Sequence, residues 1–151
     1  MEMMPARSTV FVVDDDADIR KALQRSLTRR GYVVEGFPSA EIFLTAIESG
    51  RAGRAACLVL DVRMPGMSGL ELQAELLDLD IHLPIIFITG HGDIPMSVRA
   101  MKKGAQNVRE KPYPVEKLDV LIDKAVDEND SLQEQRVQRD LIKDNFSRLT
   151  V

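Results

Sequence analysis

The sequence predicts an α/β domain: a parallel sheet of five strands with helices on both faces. Three observations point there. Short apolar runs alternate five times with segments whose apolar residues recur at helical spacing. The connections between them are short, as loops between strands and helices are. The first run, Thr9 to Val13, is apolar at every position past Thr9 instead of alternating, which marks a strand buried on both faces and hence a sheet sandwiched between helices.

Taken in order, the strand Thr9–Val13 stops at Asp14-Asp15-Asp16, three acids that cannot continue a core strand. Ile19, Ala22, Leu23 and Leu27 then form an amphipathic stripe among Arg20, Lys21, Gln24 and Arg25, with Gly31 as its C-terminal stop. Tyr32 to Phe37 is the second strand. Pro38-Ser39 opens a helix with Ser39 as N-cap and Ile42, Phe43, Ala46 and Ile47 facing inward, ended by Gly50 and Gly53. Ala56 to Asp61 is the third strand. Gly69 to Leu79 is a helix carrying Leu72, Leu76 and Leu79, and Leu83 to Thr89 is the fourth strand. After the Gly90-His91-Gly92 loop, Ile94 to Lys103 is a helix ended by Gly104, and Asn107 to Glu110 is a short fifth strand before Lys111-Pro112.

The last stretch differs in character. Leu118, Leu121, Ile122, Ala125 and Val126 make an apolar face that can pack on the sheet. Beyond Asp127 the chain becomes rich in Glu, Gln, Arg and Asp, with no Pro or Gly from Val115 to the end. An extended C-terminal helix over 128–151 fits this composition. The apolar spacing is only loosely heptad-like, and leaves both a coiled coil and a solvated linker open.

The 151 residues suit one domain with a core and an appendage. Twenty basic against 24 acidic residues give a net charge of −4, which is no electrostatic footprint for nucleic acid. Cys57, the single cysteine, lies in an apolar run without a CxxC or His partner and reads as a small core residue. No apolar run approaches the roughly 20 residues that span a bilayer, and residues 1–8 read as an extended or disordered lead without the apolar core of a secretory signal. The expectation is a cytoplasmic protein.

In open parallel sheets, ligands bind outside the carboxyl ends of the strands. The polar residues at those ends are Asp14, Asp15, Asp61, Thr89 and Lys111. Each alone could be a helix cap or a surface charge; all five together at strand ends should converge on one pocket. Three carboxylates in one pocket repel unless a cation lies among them. All-oxygen donors suit a hard dication such as Mg2+, which shares its shell with phosphate oxygens. A carboxylate beside such an ion can attack phosphorus to form an acyl phosphate, with a lysine neutralising the transferred group. Asp61 is therefore the candidate phosphoacceptor, Lys111 its cationic partner, and Thr89 a hydroxyl donor.

The stretches Val12-Val13-Asp14-Asp15-Asp16, Leu58-Val59-Leu60-Asp61 with Val62-Arg63-Met64-Pro65-Gly66-Met67-Ser68-Gly69, Thr89-Gly90-His91-Gly92-Asp93 and Glu110-Lys111-Pro112-Tyr113 together resemble the response regulator receiver domain of two-component signalling. The resemblance covers about Thr9 to Asp127. Thr89 through Met96 is most similar to the nitrogen-fixation type, whose output is a LuxR-like helix-turn-helix. The resemblance implies a flavodoxin-like sheet of order 2-1-3-4-5 and a receiver over 9–127. It also implies a phosphorylation switch without enzyme turnover beyond its own phosphorylation and dephosphorylation. Asp61 would take phosphate from a sensor histidine kinase. Asp14, Asp15, Asp61 and the backbone carbonyl of Arg63 would hold Mg2+, Thr89 and Lys111 would contact the phosphoryl group, and the Lys111–Pro112 bond would be cis. Gly90 is small enough to let phosphate approach.

Two positions depart from the family pattern. Receivers usually carry Phe or Tyr three residues before the lysine, where this chain has Val108, and an apolar residue next, where it has Arg109. The coupling of Thr89 to the fourth-helix/fifth-strand face is thus altered. Arg109 either makes ion pairs across a dimer interface or points into solvent, the latter slightly favoured. Residues 147–151 resemble the lead into a LuxR-type DNA-binding domain. That implies a helical linker over 128–151, a homodimer on phosphorylation, and DNA contact only through a domain outside this sequence. Rival readings are a stand-alone phosphate sink, a Mg2+-dependent aspartyl-phosphate phosphatase and a flavodoxin-like electron carrier. The phosphatase would want an acid where Arg63 stands, and the electron carrier a phosphate cradle where Asp14-Asp15-Asp16 stands.

Overall fold

The computed structural model describes residues 7–48, 55–90 and 94–128. The chain runs β1 (Arg7–Val13), α1 (Ala17–Arg29), β2 (Tyr32–Phe37), α2 (Ala40–Glu48), β3 (Ala55–Asp61), α3 (Gly69–Asp78), β4 (Ile85–Thr89), α4 (Ile94–Lys102) and β5 (Asn107–Glu110). A fifth helix, α5, occupies 115–128. The strands are all parallel, in the flavodoxin-like order β2-β1-β3-β4-β5.

Side chains alternate across a strand, and here both faces are covered. Phe11 and Val13 of β1 join Leu58, Leu60 and Phe87 in a layer packed by α2, α3 and α4. Val10 and Val12 join Cys57, Val59, Ile86 and Ile88 in a second layer packed by α1 and α5. This is why the central strands are apolar throughout. In the first layer, Phe11, Phe37 and Phe43 meet edge to face with ring centroids 5.2–5.8 Å apart, the arrangement aromatic quadrupoles favour.

Local sequence sets the helix ends. Asp16 caps α1 by accepting the Asp18 N–H at 2.9 Å, and Gly31, with φ of 94°, turns the chain out of it. Ser39 accepts the Ile42 N–H at 3.2 Å, as expected of an N-cap. Ser68 and Glu71 form a capping box at α3. Between α1 and α5, the Ser26 hydroxyl donates to Asp119, and Arg30 and Tyr32 both bind Asp123.

Several details correct the expectations from sequence. Ile42 does not face inward: the buried stripe of α2 is Ala40, Phe43 and Ile47, which leaves Ile42 51% exposed. Leu79 is 43% exposed, because α3 ends at Asp78 and the chain turns through Asp80 at φ of 56°. β4 begins at Ile85 rather than Leu83, after Pro84, which has no N–H for the ladder. β1 begins at Arg7, earlier than Thr9, because Arg7 already pairs with Tyr32. The expected lead at 1–6, the Gly50 and Gly53 stop and the extended helix beyond 128 lie outside the described residues.

Adjacent residues of α2 should therefore differ sharply in chemical denaturation. Phe43→Ala, which empties the aromatic cluster, is expected to lower stability by about 3–4 kcal/mol. Ile42→Ala is expected to change it by less than about 0.5 kcal/mol.

Candidate functional site

Strand register brings the candidate residues together. Val13 pairs with Leu60, so the residues that follow, Asp14 and Asp61, fall side by side at the carboxyl edge of the two central strands. Thr89 closes β4, one register step past the Asp61–Ile88 pair. The Lys111 N–H donates to the Thr89 carbonyl at 2.7 Å, tying the residue after β5 to the end of β4. The Lys111–Pro112 bond is cis, as the resemblance implied. Asp14, Asp61 and Thr89 are buried at 3%, 4% and 2% exposure, while Asp15 faces solvent.

The two buried carboxylates are held in place. Asp14 Oδ1 accepts the Asp16 N–H at 2.9 Å, and its carbonyl accepts the Arg20 guanidinium at 2.6 Å. The Arg63 N–H points at Asp61 Oδ1 across 3.4 Å. Between the buried acids lies one ammonium: Lys111 Nζ is 3.0 Å from Asp14 Oδ2 and 3.3 Å from Asp61 Oδ2.

That one cation does not balance the site. Asp14, Asp15 and Asp61 carry three formal negative charges, and among the described residues the cationic group paired with their carboxylate oxygens is Lys111. Burial, with Asp14 beside it, raises the Asp61 carboxyl to about 6 despite the opposing pull of Lys111. Burial alone would lower the Lys111 pKa, but the hydrogen bond and charge of Asp14, then those of Asp61, hold it above its ordinary value. One oxygen each from Asp14, Asp15 and Asp61 lies within 4.8 Å of the others. A dication there would remove the excess charge, and the all-oxygen donor set fits a hard ion.

The turn after Asp61 is shaped by contacts that the sequence did not announce. Gly69 donates its N–H to the Val62 carbonyl at 2.9 Å, and a Cβ on Gly69 would collide with the carbonyl oxygen of Asp61. Gly66 adopts φ of 79°. Glu41, from α2, accepts the Met67 N–H at 2.5 Å, and that bond holds its carboxyl below the usual range. Gly66 and Gly69 were visible as turn residues; Glu41 and Arg20 were missed, since nothing local marks a residue whose partner comes from another element. Arg63 is exposed, and among the described residues a Cβ on Gly90 would meet nothing within 4 Å.

Val108 and Arg109 follow β5 alternation. Val108 packs on the layer beneath α2–α4, and Arg109 takes the opposite face. Arg109 does not extend into solvent as favoured from sequence. It is half-buried, donates to the Val108 carbonyl at 3.1 Å and lies 6.0 Å from the centroid of the Tyr113 ring, within cation–π range.

The raised Asp61 pKa gives a signed expectation for the metal-free protein. Ionised Asp61 opposes folding above about pH 6, and that penalty fades as pH falls toward the unfolded carboxyl value. Asp61→Asn should therefore be more stable than the parent at pH 7 by on the order of 1–2 kcal/mol, with the difference shrinking toward pH 4. Urea titrations in chelator across that range test it; a difference that is flat or grows on acidification would contradict the assignment.

Comparison with known proteins agrees with this geometry. The profile described as "Response regulator receiver domain" matches residues 10–123. Nodulation protein W of Bradyrhizobium diazoefficiens is 51% identical over 107 residues, covering 71% of this chain and 46% of that protein. The transcriptional regulatory protein FixJ of Rhizobium meliloti is 50% identical over 105 residues, covering 70% of this chain and 50% of that protein. The chain thus spans about half the length of these curated relatives. Among solved structures, response regulator StyR superposes with a TM-score of 0.84 at 45% identity, covering 96% of this chain and 72% of that one. FixJ-N superposes at 0.70 with 44% identity, covering 83% and 96%. The chain belongs to the response regulator receiver domain family of two-component signalling.

Proposed function

We propose that this chain is a phosphorylation-activated switch in which Asp61 accepts a phosphoryl group from a phosphohistidine of a sensor histidine kinase. The observation that carries this reading is the Lys111 ammonium, 3.0 and 3.3 Å from two buried carboxylates at adjacent strand ends. An Asp61 oxygen attacks phosphorus, the phosphorus–nitrogen bond breaks, and its electron pair returns to the imidazole, which then takes a proton. Lys111 pairs with an equatorial phosphoryl oxygen, and the Thr89 hydroxyl donates to another. Gly90 leaves the approach open. Asp14, Asp15, Asp61 and the Arg63 carbonyl would hold Mg2+, which would supply positive charge to the site. In this reading the chain acts as a switch and not as a turnover enzyme.

The phosphoryl group carries up to about two negative charges where the free carboxylate carried one, and Thr89 and Lys111 turn toward it and bias a two-state surface formed by α4 and β5. The output is dimerisation of a cytoplasmic transcription regulator. A helical linker over 128–151 leads to a LuxR-type DNA-binding domain, as the length of the FixJ relatives supports. With Val108 in place of the usual aromatic, the coupling runs through the Arg109–Tyr113 contact.

Incubation with acetyl phosphate and Mg2+, read by intact mass and sedimentation, tests the proposal. The parent chain should gain one phosphoryl group and shift toward dimer, and Asp61→Asn should do neither. Lys111→Ala should form the adduct about 10²-fold more slowly. A full adduct on Asp61→Asn, or one that forms equally in chelator, would sink the assignment.

A further inference from the structure

Every polar atom of Asp14 has a partner. Its N–H donates to the Phe37 carbonyl at 3.1 Å, Oδ1 accepts the Asp16 N–H at 2.9 Å, and Oδ2 lies 3.0 Å from Lys111 Nζ. Its carbonyl oxygen accepts the Arg20 guanidinium at 2.6 Å, a charge-assisted bond. Asp15 differs. Its carboxylate is exposed and is held by no hydrogen bond or ion pair among the described residues. One of its oxygens nevertheless lies within 4.8 Å of oxygens of Asp14 and Asp61. Like charges repel, so something other than its own contacts keeps Asp15 aimed at the other two.

That constraint runs through the backbone. The Asp14 carbonyl belongs to the planar peptide that joins Asp14 to Asp15. Holding its oxygen restricts ψ of Asp14 and φ of Asp15 together, and with them the direction in which the Asp15 side chain leaves the chain. Arg20 is itself anchored twice. Its N–H donates to the Asp16 carbonyl at 3.2 Å in the first turn of α1. Its aliphatic stem runs past Gly36 of β2, where an added Cβ would stand 3.4 Å from Arg20 Cδ. The guanidinium therefore meets the Asp14 carbonyl at the end of a side chain packed along its length.

We propose that Arg20 is a positioning residue for the metal site: by holding the Asp14 carbonyl it aims the Asp15 carboxylate at the ion shared with Asp14 and Asp61. The inference rests on the reading of those three acids as Mg2+ ligands. Charge and positioning predict opposite signs. Arg20 is a cation beside an acidic pocket, so removing its charge alone would strengthen cation binding. Loss of aim weakens it, and supporting contacts around metal ligands are typically worth about 10- to 100-fold in affinity.

The test is titration of the full chain with Mn2+, a cation that also favours oxygen donors, with free Mn2+ counted by electron paramagnetic resonance and Mg2+ as competitor. Arg20→Met should raise the dissociation constants of both ions about 10-fold. Asp15→Asn should raise them at least as much. The double variant should match Asp15→Asn alone, because Arg20 acts through Asp15. Unchanged or lowered constants in Arg20→Met, or additive losses in the double variant, would overturn the proposal. Loss in Asp15→Asn without loss in Arg20→Met removes Arg20 and leaves the metal reading standing; no loss in either removes both. Urea unfolding in chelator identifies a merely structural role, which lowers stability without moving the constants. Arg20→Gln, whose shorter side chain falls short of the Asp14 carbonyl, takes the place of Arg20→Met should that variant fail to fold.

Discussion

The ammonium of Lys111, set between Asp14 and Asp61, is the contact on which the carboxyl edge of this sheet depends. Two carboxylates at adjacent strand ends, both buried, repel strongly in a medium of reduced dielectric. Without an interposed cation, one would be driven out of the pocket or protonated. Lys111 meets that requirement only in part, since Asp61 still titrates near 6 and Asp15 adds a further charge at the rim. The pocket is thus left short of positive charge and long in oxygen donors. That imbalance makes it chemically suited to a dication.

Holding such a site folded falls to the apolar layers behind it. Phe11, Leu58, Leu60 and Phe87 on one face, and Val12, Val59 and Ile88 on the other, fix the strands that end in the acids. The turn after Asp61 is fixed differently, through backbone contacts. Gly69 packs against the Asp61 carbonyl too closely for any side chain, and Glu41 reaches from α2 to hold the Met67 N–H. A turn braced from both sides holds the Asp61 carboxylate in one orientation.

Beyond the pocket, β5 departs from the usual family pattern. With Val108 where an aromatic usually stands, Tyr113 follows this strand end, beyond Lys111–Pro112 and on the other face of the sheet. Arg109 shares that face because β5 alternates, and its guanidinium lies over the Tyr113 ring. The aromatic and Lys111 thus occupy one short segment, from Lys111 to Tyr113.

Sequence alone determined the sheet, the helices and the five strand-end residues, because each rests on a local signal. Apolar runs mark buried strands, 3.6-residue periodicity marks helix faces, and acids or lysine beside Pro and Gly mark the ends of strands. The metal-compatible acids followed from that placement and their chemistry, and the cis Lys111–Pro112 bond followed from resemblance to a family with the same motifs. Only the tertiary structure decided which residue of α2 faces the core, that Arg109 lies over Tyr113 and not in solvent, and that Glu41 and Arg20 brace the site. These depend on one element meeting another across the fold, and the exact rotation of a helix or reach of a side chain is set by packing partners distant in the chain, which no local pattern encodes.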